Sequence, residues 1–292
     1  MRDLSPRQLG LWMAFMGMLV ISTDSLITRA ADAAGWDVAF WYGVFTTPSM
    51  LVYLTISERG RPLAAVRRSG WIVLLSGGLQ MISTTAFILA VKNTTVANVV
   101  VIIAAAPLIT AIVARVLLGE RVSTRTWTAI AVAMAGILVV VSGSLGGGGF
   151  TGDLLAVVAI SAFALNLTIW RRRPEMSRIL VLAVAGVTTA GVAATQAEIL
   201  GHSTKTYLLI ALMGLALGPI GRIALASATR YLPAAEVSLF TPVETVAASL
   251  WAWIFFTEVP GPTTWVGGAA IVAAVVYGTA LAPAVVPSAP AD

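Results

Sequence analysis

Arg222 and Glu244 are the two ionisable residues whose positions first invite a chemical reading. Each lies eight residues inside an apolar stretch, Arg222 counted from Arg230 (230−222) and Glu244 from Glu236 (244−236). At about 1.5 Å of rise per helical residue, both sit roughly 12 Å from the charged end of their stretch. The stretches are consecutive, so as helices they run antiparallel and the two side chains can meet. Two outcomes are open. The pair can be a buried ion pair that neutralises both charges, or it can line a cavity and open toward the carboxylate and amine of a zwitterion. Asp24 is a third acid at depth. It could receive an amino group or carry a coupling proton, or hydrogen-bond Ser22, Thr23, Thr28 or a neighbouring helix. Gln80 and Thr84, with Ser83, add mid-stretch hydrogen-bonding groups, and Asn166 does the same further along, either as an interhelical donor or in direct substrate contact. Among many aromatics at depth, Tyr42, Phe45 and Phe87 stand beside these polar residues and are candidate walls for an apolar substrate. Most of the others fit an interfacial belt.

Other chemistry has little material. There is no cysteine and a single His, His202, so no thiol nucleophile, zinc-thiolate or histidine relay is available, and no metal or cofactor is expected. No G-x-x-x-x-G-K-[ST] run occurs, so ATP is not expected to drive the protein directly. A membrane-embedded enzyme would need a nucleophile–base pair or ligand cluster that the stretches lack.

The elements that position these groups follow from composition. Of 292 residues 58% are hydrophobic, only 11% are charged, and the mean hydropathy is +0.92. That is too little charge to cover a water-exposed surface. The apolar runs are therefore expected to be membrane spans of roughly 20 residues, at about 8–30, 37–57, 70–91, 97–118, 124–143, 152–171, 178–200, 205–229, 236–256 and 262–282. All are expected to be helical, because an open sheet edge cannot be satisfied in lipid. The first run is span-length without a clear cleavage site, so no cleavable leader is expected. The Pro/Ala-rich tail 283–292 is expected to be disordered. With the N-terminus inside, thirteen of the 18 Lys and Arg fall on the inner side and Arg29, Lys92 and Lys205 on the outer side. Both termini are then cytoplasmic, in the inner (plasma) membrane. The scattered basic residues do not suggest nucleic acid.

The sequence also repeats. Lys92 and Arg230, Glu120 and Glu258, and Trp127 and Trp265 are each 138 apart (230−92, 258−120, 265−127), and the same offset pairs Thr84 with Arg222. An offset of 142 pairs Gly10 with Gly152, Asp24 with Asn166 and Arg29 with Arg171. The expectation is two repeats, 8–143 and 152–282, joined by the "GSLGGGG" seam. Five spans is an odd number, so the second copy starts on the opposite side, giving an inverted-topology repeat of the kind found in secondary transporters. Gly119 is expected to cap span 4 and Ser123 or Thr124 to open span 5. Pro107 in span 4, and Gly218, Pro219 and Gly221 in span 8, break the helical pattern and are candidate hinges, as static kinks or as points of bending. Spans 5 and 10 are rich in small residues and suit a scaffold pair or the contact surface of a homodimer.

Ten spans, two five-span repeats and "APLITAIVARVLLGERVSTRTW" closing span 4 together resemble the EamA family of the drug/metabolite transporter superfamily, over residues 8–282. The second half departs from the pattern, with Thr245 where the family's proline is expected and Pro242 three residues earlier. The resemblance implies a carrier of small metabolites, amino acids among them, and overall similarity is greatest to the aromatic amino-acid exporter branch. The leading expectation is thus a ten-span all-α carrier that exports small amphipathic metabolites by alternating access. Exchange of nucleotide-sugars or sugar-phosphates ranks below it, since Arg222 is the only well-placed cation for such anions. A channel ranks lower still.

Overall fold

A computed structural model describes residues 5–58, 62–94, 99, 102–119, 122–141, 149–256 and 262–280. Among these residues the chain is helical, with no strand. The helices are α1 (Pro6–Ile21), α2 (Thr23–Ala30), α3 (Gly35–Ser57), α4 (Pro62–Ser69), α5 (Ile72–Asn93), α6 (Ala106–Leu118), α7 (Thr124–Val141), α8 (Phe150–Arg172), α9 (Arg178–Ala193), α10 (Thr204–Leu212), α11 (Gly218–Ala228), α12 (Ala234–Ser238), α13 (Thr241–Phe256) and α14 (Pro262–Ala280). A π-helical segment, Met213–Leu217, joins α10 to α11. Among the described residues, four helical stretches are long and apolar enough to cross a membrane: Pro6–Ala30, Ile72–Asn93, Phe150–Arg172 and Thr204–Ala228. Shorter apolar helices include Ala106–Leu118, Thr124–Val139, Arg178–Ala193 and Trp265–Gly278.

Helix ends follow side-chain chemistry. Ser5, Ser177 and Ser203 each accept from a backbone amide in the first turn of α1, α9 and α10, satisfying donors that a helix start leaves free. Gly119 takes the left-handed conformation (φ 66°) just past α6, and Ser123 Oγ accepts the Thr126 amide at 3.1 Å as α7 begins. Both agree with expectation. Glu120 and Glu258 lie outside the described residues.

Several spans are more broken than periodicity suggests. Span 1 divides at Ser22, where the Ser22 and Thr23 hydroxyls bond back to the carbonyls of Leu19 (2.6 Å) and Val20 (2.7 Å) and compete with the helix ladder. Span 4 turns at Ala104–Ala105, so Pro107 sits in the first turn of α6 rather than mid-helix. There its missing N–H costs nothing. Span 7 is shorter than expected and leaves the helix after Ala193. Span 8 holds Pro219, whose absent N–H leaves the Leu215 carbonyl without its usual partner. The π segment widens the turn at that point, and Ser49 Oγ on α3 donates to the Leu215 carbonyl at 2.6 Å. The basic stretch "PLAAVRRS", between the expected spans 37–57 and 70–91, forms α4.

The two halves of the chain interlock. α1 packs on α11, α3 on α9, α5 on α8 and α7 on α14. α6 also packs on α8, and α13 on α1. With the ten expected spans assigned in order to α1–α2, α3, α5, α6, α7, α8, α9, α10–α11, α13 and α14, a shift of five maps this set of pairings onto itself. Small residues bring the pairs close: a Cβ on Gly17 would lie 2.8 Å from the Gly221 carbonyl, one on Gly43 2.6 Å from that of Gly186, and one on Gly136 2.8 Å from that of Gly267. Such close backbone approach suits helices in lipid, where packing rather than water exclusion drives association. The apolar core runs mainly between α1, α8, α9 and α11, around Met18, Leu167, Trp170, Val181 and Leu225. Arg178 is only 2% exposed. Its guanidinium donates to the carbonyls of Trp170 (2.6 Å), Arg173 (2.7 Å) and Met176 (2.6 Å), tying down the end of α8.

Candidate functional site

The crossing of α1 and α11 creates the central site. Gly17 and Gly221 let the helices touch, and Ile21 lies against Gly221. Asp24, one turn beyond Ile21, then stands beside Arg222, the residue after Gly221. Arg222 Nη1 lies 2.8 Å from Asp24 Oδ2, with the Asp24 side chain 1% exposed and that of Arg222 11%. The Arg222 guanidinium also sits 5.3 Å from the centre of the Tyr42 ring, at cation–π distance. The expected pairing of Arg222 with Glu244 is therefore corrected: the salt bridge goes to Asp24, because the glycine crossing fixes Arg222 against α2. Glu244 faces the same space without a salt bridge among the described residues.

That space is a cavity of about 80 Å³. Its polar wall is Asp24, Gln80, Ser83, Thr84, Arg222, Thr241 and Glu244. Its apolar wall includes Met18, Ile21, Phe87, Ile103, Ile160, Phe163, Trp170 and Leu225. Ligand pockets usually run to roughly 300 Å³ or more, so this form has room for a few waters and a head group, and a larger body requires the walls to part.

Behind the α5 wall runs a buried chain of hydrogen bonds. Trp170 Nε1 donates to Ser76 Oγ (2.9 Å), Ser76 Oγ to Asn166 Oδ1 (2.6 Å), Asn166 Nδ2 to Gln80 Oε1 (3.1 Å), and Gln80 Nε2 to Thr84 Oγ1 (3.0 Å). The chain is polarised from Trp170 toward the cavity, and each bond strengthens the next. It holds Gln80 and Thr84 in one orientation at the cavity wall.

Six of the sequence candidates thus meet at one cavity: Asp24, Gln80, Thr84, Phe87, Arg222 and Glu244. The offset partners Thr84 and Arg222 both line it. Three candidates do not. Asn166 is fully buried one layer back, bonded to Ser76 and Gln80. Tyr42 backs Arg222. Phe45 stacks on Trp41, 5.5 Å between ring centres, because the two are one turn apart on α3. Of the breakers, Gly221 makes the α1–α11 crossing, a Cβ on Gly218 would lie 3.0 Å from the Tyr42 hydroxyl, and Pro219 closes the π segment. The cavity residues not foreseen are Thr241, Phe163, Trp170 and the aliphatic wall. Trp170 directly precedes Arg171, Arg172 and Arg173, a setting that resembles an interfacial belt residue, and no sequence signal distinguishes it from one.

Comparison with known proteins places this geometry in a family context. A family model described as the EamA-like transporter family matches residues 8–142 and again 150–278. No curated protein sequence matches the chain significantly. Of 28 matching chains with solved structures, one crystal structure aligns over 94% of this chain and 99% of its own, with a TM-score of 0.81 at 16% identity. At that identity the likeness concerns the fold alone.

Proposed function

The chain belongs to the EamA-like transporter family, multi-pass membrane proteins of the drug/metabolite transporter type, and from that premise we propose that it is a secondary carrier that exports small amphipathic metabolites by alternating access. Amino acids, aromatic ones included, are the leading substrates. The observation that supports this reading is the central cavity itself, with a charged and hydroxyl-lined wall facing an aromatic and aliphatic one. Phe87, Phe163 and Trp170 suit an apolar side chain. Arg222 has five N–H donors and gives one contact to Asp24, so it retains donors for a substrate carboxylate.

In this account the chain is built of two five-span repeats, 8–143 and 152–282, inserted in opposite senses and meeting around the cavity, and the family matches over 8–142 and 150–278 support that division. The self-consistent pairing of their helices supports that arrangement. The distribution of Lys and Arg supports cytoplasmic termini in the inner membrane. The breaks at Ala104–Ala105 beside Pro107 and at Met213–Leu217 before Gly218, Pro219 and Gly221 are the points where half-helices swing. α7 and α14 brace the bundle, and their outward apolar faces suit the lipid or a second copy.

The test is uptake into proteoliposomes of a panel of labelled amino acids, with and without an imposed pH gradient. The reading requires saturable flux of at least one amino acid. Flux of none of them, with the protein folded, removes it.

A further inference from the structure

The cavity holds an imbalance of charge and of hydrogen bonding. Two carboxylates, Asp24 and Glu244, face one guanidinium, Arg222, and the guanidinium is already committed to Asp24 Oδ2 at 2.8 Å. Glu244 is left as an acid without a salt bridge among the described residues. Two further polar atoms at the cavity wall are buried with no hydrogen-bond partner among those residues, Asp24 Oδ1 and Thr241 Oγ1. Thr241 and Glu244 are three apart on α13 and so share a helix face. Buried polar atoms are rarely left without partners, and Asp24 Oδ1, Thr241 Oγ1 and the Glu244 carboxylate on one cavity together suit a shared donor.

Among the described residues no hydrogen bond or salt bridge from the other groups reaches Glu244. From α2 comes Asp24, from α11 Arg222, and behind it from α3 Tyr42. From α5 come the uncharged Gln80, Ser83 and Thr84, and from α1 the apolar Met18 and Ile21. α7 and α14 add no described residue to the wall. An ammonium group carries three N–H donors and no acceptor, and its charge cancels the excess carboxylate. The Glu244 carboxylate, Asp24 Oδ1 and the Thr241 hydroxyl can each accept from such a group, and the surplus negative charge matches it in sign.

Resting on the carrier reading above, we propose that Glu244, Thr241 and Asp24 Oδ1 form an ammonium site, and that Glu244 carries a proton whenever the amine is absent. Arrival of the ammonium breaks the Glu244 O–H bond, the proton passes to water in the cavity, and the carboxylate takes the charged amine. Departure of the amine reverses the step. Amine and proton occupy one carboxylate in turn, so each amine carried one way is exchanged for one proton carried the other.

The test uses the purified full chain in weakly buffered detergent with a pH indicator. The probes are phenylethylamine, phenylalanine and 3-phenylpropionate, which share a ring and differ in amine and carboxylate. The two amines are expected to bind and release up to one proton per chain, and phenylpropionate to bind more weakly than phenylethylamine and release none. Glu244→Gln should weaken phenylethylamine binding about ten-fold or more and abolish the release. Thr241→Val should weaken binding and keep the release. Binding of amines without proton release in the wild type, which needs no variant to fold, overturns the proposal. Tighter binding of phenylpropionate than of phenylethylamine overturns it too, as does an unchanged Glu244→Gln. Phenylalanine flux in proteoliposomes separates the two claims. Flux indifferent to a pH gradient sinks the exchange and leaves the carrier standing. Amine binding with proton release but no flux of any amino acid sinks the carrier.

Discussion

Arg222 on α11 and Asp24 on α2 come within 2.8 Å because Gly17 and Gly221 let their helices cross at backbone contact. The ion pair is thus a consequence of helix packing between the two halves of the chain, and it ties them together at the cavity. Both charges are buried, so each depends on the other far more than a surface pair would.

Removing one partner should therefore cost more than removing both. Asp24→Asn or Arg222→Gln alone is expected to lower stability by about 3–5 kcal/mol, and the double variant by clearly less. Thermal unfolding in detergent measures this. Additive losses in the double variant would mean that the two side chains act independently.

The glycine crossing makes a second prediction. Gly17→Ala should destabilise the protein, since its Cβ would lie 2.8 Å from the Gly221 carbonyl and from the Leu225 amide. Gly78→Ala, where no atom lies within 4 Å, should be close to neutral. Equal melting temperatures for the two variants would contradict the close packing.

The buried chain behind the cavity predicts a graded series. Asn166→Leu strips partners from both Ser76 and Gln80, and is expected to cost about 1–3 kcal/mol and to weaken binding of any substrate that contacts Thr84. Thr84→Val, at the end of the chain, strips one partner from Gln80 alone and should affect binding while costing less stability than Asn166→Leu. Stability and ligand titrations on the same preparations distinguish the two. Loss of stability in Thr84→Val equal to that in Asn166→Leu would contradict the layered arrangement.

Pro219 predicts a kinetic effect. Pro219→Ala restores an N–H that can close the helix onto the Leu215 carbonyl, in competition with Ser49. A straighter, stiffer span should lower the maximal rate of counterflow several-fold with little change in half-saturation. Unaltered kinetics would show that the break does not move.

Much of the layout is legible in the sequence, and the reasons differ by element. Helix ends at Gly119 and Ser123 follow from local cap chemistry, which acts within one turn. The gathering of Thr84 and Arg222 at one cavity follows from the repeat offset. The partner of Arg222 is not legible in this way. Depth along the span brings both Glu244 and Asp24 within reach, and only the Gly17–Gly221 contact between sequence-distant helices chooses Asp24. Trp170 and Thr241 are hidden for a related reason: a tryptophan beside arginines and a threonine at a helix start each fit a common local role, and their cavity positions come from packing across the two halves.

The central claim is that one cavity is reached from both sides of the membrane in turn. The chain contains no cysteine, so Thr84→Cys introduces a single thiol at the cavity wall. Its reaction with a membrane-impermeant maleimide can be followed in right-side-out and inside-out vesicles, with and without phenylalanine. The account predicts labelling from both sides, with rates that phenylalanine alters. Labelling from one side only, at a rate indifferent to phenylalanine, would contradict it.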